Sequence, residues 1–443
     1  MRYFLSFILL LSFSTIKANL TVNGSAYQPC VVTPEASSGL EAIYVIYDTH
    51  GVSLSYPSQG DASAVKWTKF SSLGGAYGEE VNATVTGNLS TITLSDGDMG
   101  YIVEDNGRQH CYWIVNYADH YCHLNSVSLA TEESDCAMLA LRIDGQADRI
   151  TYYTINGIPR ELSRDIKIDY YNLRWDSESN SYIQEETTTY VTSVSRLMRV
   201  TTSLCETAYT LSGDRFLSEW NLTEEISTAI IPPMAVEAHT TATQTERENN
   251  NEIADSSSDL GGSAPVEITF DAVTSDGGIF KEWQISRFAD FDIIDLRFNE
   301  ESFTYTFREN GTLYVRYMTA DASGSCEFYG DTYQVDIGES RLLCPNAFSP
   351  GASEGINDEW KVSYKSIIDF QCHIFNRWGI ELFSTTNPAV GWDGRYNGKI
   401  VPSGVYFYVI KATGADGKKY SLSGDINIIH HNKRNESANY PTE

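Results

Sequence analysis

Apolar and polar residues alternate with a spacing of two along most of this chain, the period of a half-buried strand rather than the 3.6 of a helix. Ala42-Ile43-Tyr44-Val45-Ile46-Tyr47, Val65-Lys66-Trp67, Tyr101-Ile102-Val103 and Cys111-Tyr112-Trp113-Ile114-Val115 predict strands in the first quarter. The scheme returns at 139–143, 150–154, 166–175 and 190–200, and again at 266–270, 303–307 and 311–317. Near the end, Phe370, Cys372 and Ile374 alternate with Gln371, His373 and Phe375 before a turn at Trp378-Gly379, and 405–410 is apolar on both faces, as in a central strand. Amphipathic helical stretches are scarce, and 28 tyrosines with many threonines favour strands further. The pattern predicts an all-β chain of tandem β-sandwich modules.

Punctuation divides the 443 residues. Arg2 ahead of the apolar run 4–13, with a small residue at Ala18, has the form of a secretory signal peptide over 1–18, cleaved near Ala18. That run is too short to span a membrane, which takes about twenty apolar residues, and no later segment qualifies. Sandwich modules are expected at 19–123, 124–232 and 233–343, and a further one at 344–432 ahead of a tail at 433–443. The stretch 244–264, with Gln244-Thr245-Glu246-Arg247-Glu248-Asn249-Asn250-Asn251 and Asp255-Ser256-Ser257-Ser258-Asp259, has nothing to bury and reads as an acidic loop or linker. In 19–123, cysteines near each end with Trp67 between them resemble the immunoglobulin arrangement of a disulfide on a core tryptophan. In 233–343, the Tyr-Thr-Phe strand at 305–307 followed by Gly311-Thr312 resembles a PKD-type sandwich, which implies Trp283 as its core aromatic.

Four motifs in fixed order carry a more specific resemblance. They are Pro345-Asn346-Ala347-Phe348-Ser349-Pro350, Ile374-Phe375-Asn376-Arg377-Trp378-Gly379, Gly391-Trp392-Asp393-Gly394 and Pro402-Ser403-Gly404-Val405-Tyr406. Together they resemble the type B C-terminal domain, or gliding motility-associated C-terminal domain, which addresses bacterial proteins of the Bacteroidetes to the type IX secretion system. The resemblance implies a C-terminal β-sandwich sorting domain. It assigns the sorting motif to Pro345, Asn346, Phe348, Pro350, Asn357, Asp358, Asn376, Arg377, Trp378, Gly379, Trp392, Asp393, Gly394, Gly398, Pro402, Gly404 and Tyr406. The partner it implies is the outer-membrane type IX machinery, and the destination is the medium or the cell surface. Trp378 and Trp392 are candidates for structural as much as for recognition roles. The family's loop after Ser-Pro resembles a calcium loop; here 351–358 is one residue longer and poorer in carboxylates, and calcium takes six to eight oxygens, so no metal and no cofactor is expected.

The formal charge of −28 disfavours nucleic acid and anionic lipid as partners, both of which are held by Lys and Arg clusters. Eight cysteines in an exported chain suggest disulfides. Spacing cannot fix the connectivity; locality within modules pairs Cys30 with Cys111, Cys136 with Cys205, and Cys344 with either Cys372 or Cys326.

No Gly-x-Ser-x-Gly elbow is present, and no catalytic residue is assigned. Asp119-His120-Tyr121-Cys122-His123 would place His120 and Cys122 on one strand face, half of a zinc site without a second ligand pair. The carboxylate groups at Asp96-Gly97-Asp98, Glu104-Asp105-Asn106-Gly107 and Asp290, Asp292, Asp295 read as turn residues. Aromatic runs at Tyr112, Trp113, Tyr117 and Tyr121, at Tyr152-Tyr153, and at Tyr170-Tyr171 with Trp175 are compatible with a ligand surface, half of them pointing inward by the strand period. The reading is a non-enzymatic surface adhesin, or an array binding glycan or host matrix protein. The alternatives are a glycan or peptide hydrolase with its site in 19–232, and a structural component associated with gliding or secretion.

Overall fold

The computed structural model describes residues 20–429 apart from 95–96, 248, 250, 254–259 and 352–356. The expected signal peptide and cleavage site, the tail, Asp96 and most of the loop after Ser-Pro lie outside the described residues. The chain forms two compact units, one of residues 1–174 and 183–233, the other of 175–182 and 234–443.

The first unit begins with two sheets face to face. Strands Thr21–Asn23, Ser53–Pro57, Leu89–Thr93 and Thr84–Thr86 make one; Cys30–Val32, Ala42–Ile46, Arg108–Asn116, Met99–Asp105, Lys66–Phe70 and Glu79–Val81 make the other, in those orders. Alternation delivers Leu54 and Ile92 from one sheet and Tyr44, Ile46, Tyr112 and Ile114 from the other into a shared core. Trp67 is 1% exposed in that core, and its indole N–H donates across to Ser90 Oγ at 3.0 Å. The expected disulfide on this tryptophan is absent: Cys30 and Cys111 are buried thiols. Cys30 is in register with Val45, and Val45 with Val115, so the two cysteines lie on the same sheet, two strands apart and four residues out of step. That offset alone is about 13 Å along the strand, whereas a disulfide needs Cα atoms within about 7 Å.

The rest of this unit is built from a sheet of His123–Leu129, Met138–Gln146 and Leu197–Thr201, a pair of Ile150–Tyr153 with Pro159–Leu162, and a sheet ordered Ser181–Val191, Ile166–Asp176, Thr210–Ser212, Glu225–Ser227. Cys205 is also a buried thiol, 3.5 Å from Ser203 Oγ, and Cys136 is held in a disulfide, so the expected Cys136–Cys205 pairing is not formed. The short helix Arg215–Glu219 is capped by Asp214, whose carboxylate accepts the Leu217 N–H at 3.1 Å. That carboxylate is fully buried and paired with the equally buried Arg164 at 2.7 Å. Arg164 also donates to the carbonyls of Asp148 at 2.9 Å and His120 at 2.6 Å, and the Tyr117 hydroxyl donates to Asp214 at 3.0 Å. A buried pair is tolerated only when its remaining hydrogen-bonding capacity is met, and here three chain segments meet it.

In the second unit, strands Ala238–Gln244, Val266–Thr274 and Ser302–Phe307 face a sheet ordered Leu260–Gly262, Tyr333–Ile337, Gly311–Ala320, Phe280–Ser286, Leu296–Phe298. Trp283, 0% exposed, centres its core with Phe270, Phe303 and Tyr317 around it. The expected linker differs from expectation. Within it, Leu260–Gly262 is a strand parallel to 335–337, the Ile253 N–H donates to the Tyr364 carbonyl at 2.7 Å, and Asn251 Nδ2 reaches the carbonyls of Val362 and Pro388 at 2.9 and 2.8 Å. Among its described residues Leu260 and Ala264 pack into the core around Trp283, and these hydrogen bonds satisfy backbone and amide groups, as buried polar groups require.

Candidate functional site

The motif residues fold into a sandwich of their own at the end of the second unit. One sheet runs Ala347–Phe348, Lys419–Ile428, Gly404–Gly414, Ile367–Phe375, Glu381–Thr385; Arg341–Leu343 pairs with Ser363–Lys365 opposite. The central strand was expected at 405–410, and it is central, flanked by 419–428 and 367–375. Phe348, Trp360, Phe370, Cys372, Ile374, Trp392, Tyr406 and Ile410 fill a core distinct from the one around Trp283.

Each motif has a local physical reason. The Pro345 carbonyl takes the Trp360 indole N–H at 2.7 Å, and the Asn346 carbonyl takes the Asn427 N–H at 2.9 Å, which leads Phe348 into parallel pairing with Ile428. Ser349 donates to the Asn357 carbonyl at 2.9 Å, and Asp358 Oδ1 accepts the Gly351 N–H at 2.9 Å, closing the loop after Pro350 with a carboxylate–backbone bond. In Asn-Arg-Trp-Gly, Asn376 Oδ1 accepts the N–H groups of Trp378 and Ile380 at 2.9 and 3.0 Å, and Gly379 takes a positive φ of 78°. That turn lifts Trp378 into solvent, 72% exposed, with the Arg377 guanidinium 4.4 Å from its ring centre.

Trp392 has the opposite fate. It is 1% exposed, its ring lies 5.6 Å from Phe348 and 5.5 Å edge-on from Tyr406, and its indole donates to the Arg395 carbonyl at 3.0 Å. Asp393 Oδ1 caps the next turn through the Arg395 N–H at 2.9 Å. Gly394 sits at φ 72°, where an added Cβ would lie 3.0 Å from Pro350 and 3.2 Å from Phe348. Gly398 turns the short hairpin Arg395–Tyr396 with Lys399–Ile400, while the Pro402 carbonyl accepts the Tyr406 hydroxyl at 2.8 Å ahead of Gly404. The motif therefore divides into a buried cluster at Phe348, Trp392 and Tyr406 and an exposed tip at Arg377-Trp378. On its outer face the central strand exposes Val405, Phe407 and Val409, a stripe that alternation placed there without singling it out.

The thiols Cys344 and Cys372 lie in this domain unbonded, so neither expected pairing of Cys344 is present. Burial pushes the Cys372 thiol up to about 12. The acidic surplus of the chain lies elsewhere: residues 342–428 carry eight acidic and eight basic side chains against 59 and 31 in the whole.

The other chemical candidates are engaged in structure. His120 Nε2 is 2.7 Å from Asp98, while Cys122, 0% exposed, turns inward and donates its backbone N–H to Tyr117. Among the described residues no group of three or more His, Cys, Asp or Glu is placed to hold a metal. Asp290 and Asp295 accept the N–H groups of Asp292 and Arg287 at 3.1 and 2.9 Å, as turn residues do. Of the aromatic runs expected at a ligand surface, Tyr112, Trp113, Tyr117, Tyr152 and Tyr170 are core residues at 5% exposure or less. Tyr171 is exposed, and Trp175 stacks on His239 at 4.0 Å within the second unit.

Residues 342–428 match the CHU_C Type IX secretion signal domain, and residues 128–228 match a fibronectin type III domain. No curated protein matches the chain. Among solved structures, a tetra-tandem repeat from the extending region of a large adhesion protein aligns at 13% identity over 86% of this chain and 96% of that one, with a TM-score of 0.21. A calcium-stabilised ice-binding adhesin of an Antarctic bacterium aligns at 12% identity over 91% and 100%, with a TM-score of 0.18. Latent PorU from Porphyromonas gingivalis aligns at 11% identity over 73% and 35%, with a TM-score of 0.15. The chain is thus an all-β protein with a type IX sorting domain at its C-terminal end and a fibronectin type III module upstream.

Proposed function

We propose that this chain is carried across the outer membrane by the type IX machinery and works outside the cell as a binding array, its upstream sandwiches engaging a glycan or a matrix protein. The single observation behind the export half is the family match over 342–428, borne by a domain whose core is separate from that of the preceding sandwich. Support for the binding half comes from the cargo itself, a run of sandwiches including a fibronectin type III module, in which the reactive side chains serve turns and buried hydrogen bonds. No helix among the described residues is long and apolar enough to cross a membrane. The exposed Arg377-Trp378 tip is the part of the sorting domain offered to the machinery, because recognition requires side chains the fold does not already use.

The test is deletion of residues 342–443 followed by fractionation of the producing cells. The expected result is a truncated protein retained in the periplasm while the full chain reaches the surface or the medium; release of the truncated form overturns the export reading. Failure of the released full chain to bind any member of a glycan array or any matrix protein overturns the binding reading.

A further inference from the structure

A cavity of about 490 Å³ opens on the first sandwich between the end of strand Ser53–Pro57 and the hairpin that joins Met99–Asp105 to Arg108–Asn116. Its size falls in the range of small-ligand sites. Tyr56, Gln59, Asp105, Asn106, Arg108 and His110 line it. Its groups are fixed from behind. Asp105, 6% exposed, accepts the Ser58 hydroxyl at 3.0 Å and the Gln59 N–H at 3.2 Å, while Glu41 holds His110 Nδ1 at 2.8 Å and accepts the Tyr112 hydroxyl at 3.2 Å. The Tyr56 ring lies 5.5 Å from the His110 ring.

One group there has no partner. Tyr56 is 4% exposed, yet its hydroxyl forms no hydrogen bond within the described residues, and burial, then the charges of Asp105 and Glu41, hold it in its protonated form above the usual phenol range. A hydroxyl that faces a cavity with no protein partner is free to bond whatever fills it. The surrounding chemistry selects what satisfies it. Two carboxylates oppose an anionic ligand, the Arg108 guanidinium opposes a cationic one, and the carboxylate oxygens already accept protein hydrogens rather than forming a metal cage. Carboxylate, amide, guanidinium and phenol groups together offer acceptors and donors at short spacing, as the vicinal hydroxyl groups of a sugar demand.

We propose that this cavity binds one or two units of a neutral glycan, with the Tyr56 hydroxyl, Asp105 and Arg108 as its hydrogen-bonding groups. The inference rests on the surface-binding reading above and names its ligand class and place. The test uses the full secreted chain, first on an array of neutral and anionic glycans and matrix proteins, then in titration calorimetry with cellobiose, maltose and lactose and with any array hit. Tyr56→Phe deletes only the hydroxyl, and Arg108→Ala alters an exposed side chain that the core does not need. The expected result is binding of at least one neutral saccharide, weakened about tenfold or more in each variant with an unchanged melting temperature. Saccharide binding that both variants retain, binding of anionic glycans alone, or capture of matrix protein without any saccharide overturns this site and leaves the array reading standing. Silence of every glycan and matrix protein overturns both.

Discussion

Trp360 and Trp392 exchange both backbone hydrogen bonds across an isolated antiparallel bridge, Trp360 N–H to Trp392 O at 2.8 Å and Trp392 N–H to Trp360 O at 3.0 Å. The bridge ties the loop that carries Gly-Trp-Asp-Gly to the opposite side of the sorting domain and delivers the Trp392 ring against Phe348 and Tyr406.

Trp392→Ala is therefore expected to destabilise the domain by about 3–5 kcal/mol. Trp378→Ala, at a 72% exposed position, is expected to change stability by no more than about 0.5 kcal/mol and yet to reduce the fraction exported. Urea denaturation of the purified chain and immunoblotting of culture fractions check the two halves; normal export of the Trp378 variant removes the tip from recognition.

Two glycines with similar φ separate backbone strain from crowding. Gly394→Ala must adopt φ near 72° and push its methyl to 3.0 Å from Pro350, whereas Gly398→Ala at φ 78° meets nothing within 4 Å. The second is expected to cost about 1 kcal/mol, the ordinary penalty for a left-handed alanine, and the first clearly more. Equal melting-temperature losses would refute the crowding argument.

Removal of one partner from the buried clasp of the first unit leaves the other charged and dry. Asp214→Ala is expected to lose about 3–5 kcal/mol, since Arg164 is 0% exposed and the helix cap disappears as well. Tyr117→Phe, which deletes one hydroxyl from the same carboxylate, is expected to lose about 1–2 kcal/mol. Chemical denaturation of the isolated variants measures both.

Burial holds Cys111 and Cys122 up at about 11 and Cys372 up at about 12, against an ordinary value of 9.0. A folded pKa above the unfolded one means that the folded state keeps its proton longer. The associated stability is then fully present below pH 9 and is lost as pH rises from about 9 through 11 to 12. The native chain is expected to resist iodoacetamide at pH 8 and to lose stability progressively above pH 9; rapid labelling of these three thiols at pH 8 in the folded state would contradict it.

Much of the fold was legible because strands announce themselves locally. Alternation set Phe370, Cys372 and Ile374 on one strand face, which is the buried one; the immunoglobulin and PKD resemblances implied Trp67 and Trp283 as core residues, and both lie in the cores of their sandwiches. The period also warned that half of each aromatic run points inward, but it could not say that Tyr112 and Trp113 both would. Strand Arg108–Asn116 lies between two neighbours in its sheet and is covered on both faces, so adjacent side chains are buried together. The disulfide expectations failed for a related reason: Cys30 and Cys111 look like an inter-sheet pair by sequence distance, and only strand order places them on one sheet.

The amino-acid order alone determined the strand content and the C-terminal sorting motifs, since these depend on neighbours along the chain and on turn chemistry at residues such as Gly379 and Gly394. Tertiary structure alone decided which motif tryptophan is core and which is free, what the clasp at Arg164 and Asp214 joins, and that Tyr56 ends in a cavity without a partner. Those outcomes depend on residues far apart in sequence arriving at one place, and no local period encodes the arrival.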